Sequence, residues 1–180
     1  MHYAVSNGGG PCNVVPSSAS GQFSLRSYNS VYLDEIQKRF ESIVEGAALM
    51  TGTTYEIRYD KRLEGKIPVL KLNSLLMENA RLIGAPKCRP DREKTGSTDF
   101  GNVMYQLPGA CIRIAFVDDG IMAHSEGFLK EGKTERGHDA VVSAAKILAD
   151  TTYDLIAVEG CLEGIQTEFK EKKVFLNNRV

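Results

Sequence analysis

The stretch "DKRLEGKIP", residues 60–68, decides how the chain divides. It holds five charged residues and carries neither strand alternation nor a helical apolar stripe. On its N-terminal side the pattern is short and β-rich. Residues 2–6, "HYAVS", read as a strand ended by the turn "NGGGP". "GQFSLRSY" alternates, with Phe23 and Leu25 on one face and Gln22, Ser24 and Arg26 on the other. A helix follows, capped by Ser30, with Leu33, Ile36, Phe40 and Ile43 forming one stripe and Gly52 just past its end. "TTYEIRY", residues 53–59, alternates again, setting Tyr55, Ile57 and Tyr59 against Thr54, Glu56 and Arg58. The segment before the divide thus reads strand–strand–helix–strand.

On the C-terminal side the helical period dominates. Asn73 is placed to cap a helix bearing Leu76, Ala80 and Ile83, stopped by Gly84. Residues 85–95, with two prolines and six charged residues, read as exposed loop. "ACIRIAFV", residues 110–117, reads as a strand buried on both faces. The longest helix is expected from about Thr134 to Ile156, with Val141, Ala144, Leu148, Thr152 and Leu155 on its apolar side. A last helix carries Leu162, Ile165 and Phe169. The fold class is α+β (α/β), in two parts, 1–66 and 67–180.

Composition narrows the function. A chain of 180 residues, 42% hydrophobic and 25% charged, is ordinary for a globular protein. A net charge of −1 supplies no basic face for nucleic acid. No apolar run approaches the roughly 18 residues of a membrane helix, and no signal-peptide pattern opens the sequence. Four scattered cysteines without a Cys-x-x-Cys pair read as reduced thiols, which makes the expected location cytoplasmic.

Few residues suit chemistry. His124 lies in "AHSEGF", shortly after the expected buried strand 110–117, where it is either a zinc ligand or a hydrogen-bonding loop residue. Asp118, Asp119 and Glu126 are near it in sequence, as co-ligands or as ordinary loop carboxylates. Arg26 either clamps a carboxylate with two parallel hydrogen bonds or stands as a solvated surface arginine. Asn13, in a glycine-rich turn, either donates to a ligand or braces the turn. "GSTDFGNV", residues 96–103, brings together Gly96, Ser97, Thr98 and Asp99. Its hydroxyls and backbone N–H groups suit an anion, and the same residues suit a helix cap.

Taken in order, "NGGGPCNVVP", Arg26 in "SLRS", "GAALMTGTTYEI", "GSTDFGNVMYQLPG" and "AHSEGF" resemble the aminoacylase and carboxypeptidase G family of dinuclear metallopeptidases. The likeness is to its p-aminobenzoyl-glutamate hydrolase and dipeptidase branch, and it extends over nearly the whole chain. It implies an amidohydrolase with a catalytic α/β domain and a smaller lid that also dimerises. Residues 1–66 then match the second half of the lid, and 67–180 the C-terminal part of the catalytic domain.

The resemblance also implies roles. Asn13, Arg26 and the loop of Gly96, Ser97, Thr98 and Asp99 would bind substrate, and His124 would bind a metal, zinc or manganese. The substrate would be an N-acyl amino acid or a dipeptide. The family's other metal motifs, its Glu-Glu pair and the first lid strand and helix have no counterpart here. No catalytic residue is therefore expected within these residues. The expectation is a C-terminal portion that works as a homodimer or with a missing N-terminal half. The alternative is a non-catalytic dimerisation or partner-binding remnant, whose incomplete lid sheet exposes strand edges.

Overall fold

The computed structural model describes residues 1–85, 88 and 96–178. Most of the expected 85–95 loop lies outside the described residues. The architecture is α+β and rich in helix: strands β1 (His2–Asn7) and β2 (Ser20–Ser24), then helices α1 (Ser30–Thr51), α2 (Leu70–Leu82), α3 (Phe100–Met104), α4 (Glu126–Glu131), α5 (Glu135–Ala157) and α6 (Cys161–Asn177). The chain resolves into two compact units. One holds Met1–Gly65 with the terminal Phe175–Val180, the other Lys66–Val174.

In the first unit β1 and β2 form an antiparallel ribbon with His2 opposite Ser24, Tyr3 opposite Phe23 and Val5 opposite Gly21. Phe23 joins this ribbon to α1. Its ring stacks on Tyr3 at 6.0 Å and tilts against Phe40 at 4.9 Å. Asn29, rather than Ser30, caps α1, because its side chain accepts from the N–H groups of Val31 at 2.8 Å and Tyr32 at 3.1 Å. Ser30 is instead buried, and its hydroxyl accepts from the N–H of Gly65 at 2.9 Å. The helix ends at Gly52, which adopts the left-handed conformation expected of a terminating glycine.

Residues 53–59 differ from the expected strand. They form no ladder, and strand pairing is confined to β1 and β2 among the described residues. The alternation itself survives. Glu56 and Arg58 pair at 2.8 Å, as residues two apart do on one side of an alternating segment. A strand needs a hydrogen-bonded neighbour as well as extended backbone, and no neighbouring strand lies beside this segment among the described residues. The segment instead runs back along α1. Tyr59 donates to Glu41, and Arg62 pairs with Asp34 and donates to the carbonyl of Ser30. The hydrogen bond from Tyr59 holds the Glu41 carboxyl below its ordinary range, helped by Gln37, and the same bond raises the Tyr59 hydroxyl.

Every buried hydrophobic side chain among the described residues belongs to the second unit: Ile67, Val69, Leu72, Leu76, Ala80, Met104, Ile147, Ile165 and Phe169. Leu76 and Ala80 of α2 meet Ile147 of α5, and Ala110, Ile112 and Ile114 pack against this cluster. At the same seam Asn79 is buried and donates to Thr151 at 3.1 Å and Asp154 at 2.9 Å. The α2 N-terminus has no cap of its own from Val69. Glu168 of α6 takes that role, accepting from the N–H groups of Leu70 at 2.7 Å and Lys71 at 2.9 Å.

Three expectations for this unit need correction. Asn73 is not a cap, because α2 starts three residues earlier at Leu70. Residues 110–117 carry no ladder, and only one face, Ala110, Ile112 and Ile114, reaches the core while Cys111, Arg113 and Ala115 are exposed. The stripe expected on α5 is also rotated. Ile147 and Thr151 are buried, whereas Val141 is 68% and Leu148 54% exposed. The helix is apolar on two faces, and the Asn79 hydrogen bonds settle which one meets α2.

Candidate functional site

Arg26 lies two residues beyond β2, and its Nε donates to the hydroxyl of Ser24 at 3.0 Å. This bond fixes the plane of the guanidinium at one corner. The side chain is exposed, and its two terminal nitrogens have no protein acceptor among the described residues. A planar fork held at Nε and open at its outer edge is suited to a carboxylate.

Asn13 sits in the loop joining β1 to β2 and is exposed. The loop is shaped locally. Gly9 has φ +104, its N–H donates to Asn7 Oδ1 at 3.1 Å, and a Cβ there would stand 2.8 Å from Pro16. Val14 donates to the carbonyl of Pro11 at 3.0 Å, which turns the chain around Asn13. The Asn13 amide itself is uncommitted among the described residues.

In the second unit Gly96, Ser97, Thr98 and Asp99 form the approach to α3. Thr98 acts as the local cap, since its hydroxyl accepts from the N–H of Phe100 at 3.4 Å and its carbonyl from Gly101 at 3.0 Å. Asp99 receives the Thr98 hydroxyl at 3.3 Å and does not cap with its side chain. Ser97 is exposed and uncommitted among the described residues. Sequence reading missed Lys66, whose ammonium donates to the carbonyl of Gly96 at 2.7 Å and brings a positive charge to the loop. Its distance of thirty positions in sequence hid it.

His124 precedes the Ser125 cap of α4, where the Ser125 hydroxyl accepts from Phe128 at 3.2 Å. It is the one non-glycine residue with positive φ among those described, at 65°. Histidine tolerates this region better than bulky or β-branched residues, yet it costs on the order of 1 kcal/mol. The imidazole is exposed and takes part in no side-chain hydrogen bond among the described residues. Its sequence neighbours are engaged elsewhere. Asp118 pairs with Arg136 at 2.7 Å, and Glu126 with Lys130 at 3.2 Å.

No group of three or more histidine, cysteine or carboxylate side chains able to hold a metal occurs among the described residues. A dinuclear centre needs several such donors. The described residues bring no such donor group together around His124, so they do not fit such a centre by themselves and no metal-dependent step follows from them. All four cysteines are unpaired. No helix among the described residues is long and apolar enough to cross a membrane.

No family model matches the chain. It is 30% identical over 176 residues to Xaa-Arg dipeptidase of Mus musculus and 30% identical over 177 residues to that of Homo sapiens. It is 26% identical over 228 aligned positions to one of the subunits of p-aminobenzoyl-glutamate hydrolase of Escherichia coli strain K12. These alignments take in 96%, 96% and 95% of this chain but 41%, 40% and 47% of the relatives. The chain therefore spans less than half the length of the curated relatives it matches.

Proposed function

From a chain homologous to Xaa-Arg dipeptidase and to a p-aminobenzoyl-glutamate hydrolase polypeptide, we propose the carboxylate-recognising part of a metal-dependent amidohydrolase. The reaction is hydrolysis of the amide bond of an N-acyl amino acid or dipeptide. The observation that carries the reading is the guanidinium of Arg26, anchored at Nε by Ser24 and open at its outer edge. A free α-carboxylate is the group common to both substrate classes, and it matches that fork. Asn13 and the loop of Gly96, Ser97, Thr98 and Asp99 supply further donors to the substrate.

His124 serves as one metal ligand, with zinc or manganese as the metal. The remaining ligands and the general base lie on polypeptide corresponding to the rest of the relatives' length. The working unit is an assembly with that polypeptide, dimeric as a whole. The unpaired cysteines support a reducing, cytoplasmic setting.

The test is reconstitution. The chain is combined with the polypeptide covering the unmatched part of the murine relative. Cleavage of p-aminobenzoyl-glutamate and of dipeptides ending in arginine is followed with zinc or manganese. Turnover that falls by about 10²-fold or more in His124→Ala is the expected result. No turnover on any of these substrates, or turnover indifferent to that substitution, rejects it.

A second reading, motivated by the lack of a metal-donor group among the described residues, is a non-catalytic dimerisation or partner-binding module. It predicts stable association with a partner and no hydrolysis by the assembly.

A further inference from the structure

Among the eight asparagines of the chain, Asn7 is the one followed by glycine. It is exposed and ends β1, where its pair with Ser20 closes the ribbon just past a register shift that begins at Val5. Its side chain is held in place, because Oδ1 accepts from the N–H of Gly9 at 3.1 Å. Between the two lies Gly8, whose N–H has no acceptor among the described residues.

A side-chain amide is ordinarily inert toward the main-chain nitrogen that follows it. Three features lower that barrier at Asn7. Gly8 has no Cβ, so nothing crowds its nitrogen and its backbone turns freely. That nitrogen is committed to no hydrogen bond among the described residues, which leaves it open to act as a nucleophile. And the Gly9 N–H already donates to the oxygen on which negative charge builds when Cγ is attacked, the arrangement of an oxyanion donor.

Asn13, in the same loop, is the internal contrast. It is exposed too, but the next residue is the β-branched Val14, whose N–H is committed to the carbonyl of Pro11 at 3.0 Å. Asn73 and Asn79 lie within α2, where the N–H of the following residue belongs to the helix ladder.

We propose that Asn7 is a self-modifying site. The Gly8 nitrogen attacks Cγ of Asn7. The N–Cγ bond forms, the Cγ–Nδ2 bond breaks, and ammonia leaves with the proton from Gly8. Water then opens the five-membered imide and returns a proton to the nitrogen. Opening at Cγ gives aspartate. Opening at the main-chain carbonyl gives isoaspartate, in which the chain runs through the side chain and is longer by one carbon. The balance is one water in and one ammonia out, with no change of oxidation state. Isoaspartate puts a charge and an extra methylene at the pair that closes the ribbon, so the loop from Gly8 to Ala19 loses its fixed mouth. Asn13 stands in that loop, and an ageing chain therefore loses the setting of that residue.

Mass spectrometry tests this on the 180-residue chain, held at neutral and mildly alkaline pH and then cut with trypsin. The peptide Met1–Arg26 contains both Asn7 and Asn13, so one fragment reports on the site and on its control. A gain of about 1 Da is expected to grow with time and to map to Asn7 alone, as two products of equal mass that separate on chromatography. The same peptide, released with trypsin before the incubation, is the reference for the unfolded sequence, and the folded chain is expected to convert at least as fast. Gly8→Ala is expected to slow conversion about tenfold or more, since a methyl restricts the backbone and crowds the nitrogen. The fold accommodates it, because a Cβ at Gly8 meets only Val5 Cγ1, at 3.5 Å. In the converted chain the amides of Gly9 and Val14 are expected to exchange about tenfold faster.

A folded chain that converts more slowly than the free peptide overturns the proposal, because the ribbon then protects Asn7. So does equal conversion at Asn13, or a rate unchanged in Gly8→Ala. Conversion that leaves the Gly9 and Val14 amides as slow as before overturns the effect on the loop. None of these readouts needs turnover, so they succeed or fail apart from the amidohydrolase reading.

Discussion

The Nε of Arg26 donates to the Ser24 hydroxyl at 3.0 Å, and this single bond turns a flexible side chain into a directed one. Ser24 is the last residue of β2, so the arginine takes its orientation from the ribbon.

In the reconstituted assembly, Arg26→Lys retains the charge and loses the fork. KM is expected to rise about 10- to 100-fold with kcat changed much less, as for lost ground-state binding. Ser24→Ala shifts KM in the same direction by a smaller factor. Steady-state kinetics on p-aminobenzoyl-glutamate reads both, and an unchanged KM in Arg26→Lys refutes the clamp.

Asn79 joins α2 to α5 by bonds to Thr151 and Asp154. Asn79→Ala leaves two polar partners unmatched at a buried seam and is expected to cost about 1–3 kcal/mol. The urea midpoint of the second unit falls while the slope stays constant. Asn79→Leu does not rescue it, because the acceptors remain.

Glu168 links acidity to stability. Burial raises its carboxyl, but the bonds from Lys172, Lys71 and Leu70 outweigh that and hold it below the ordinary range. The folded state therefore binds the proton less readily than the unfolded chain. Its contribution is present above the unfolded value of about 4.3 and is lost as pH falls through the lower folded value. Thermal midpoints recorded from neutral pH into the acid range are expected to fall less steeply in Glu168→Gln than in the parent chain. Equal slopes refute the assignment.

Gly65 is held by a close approach. A Cβ there would lie 2.5 Å from the carbonyl oxygen of Tyr28, which is backbone and has little room to yield. Gly65→Ala is expected to weaken the Ser30–Gly65 bond and lower the melting temperature of the first unit. Gly46→Ala, where a Cβ meets nothing within 4 Å, is the matched control and is neutral or slightly stabilising.

Local patterns with both a period and punctuation were legible in the sequence. Helix α1 shows its stripe and its Gly52 stop, and α6 shows Ile165 and Phe169 at the buried positions. Features that depend on a distant partner were not. The N-cap of α2 comes from Glu168, about a hundred positions away, and the buried face of α5 is set by Asn79. Residues 53–59 and 110–117 carry strand alternation, but a ladder belongs to two segments and no single segment encodes it.

The candidate site was legible as residue types and not as environments. Arg26 was nameable, and its anchoring by Ser24 was not. His124 was nameable as a histidine, while its left-handed backbone depends on how the loop enters α4.

Residues 110–116 separate two properties that usually travel together. Ile112 and Ile114 are fastened to the core by their side chains, yet among the described residues the main chain between Ala110 and Phe116 has no backbone partner. Ordinarily a buried side chain marks a slowly opening part of a fold. Here side-chain packing alone holds the segment among the described residues, so its amides are expected to exchange faster than the burial of Ile112 and Ile114 would suggest.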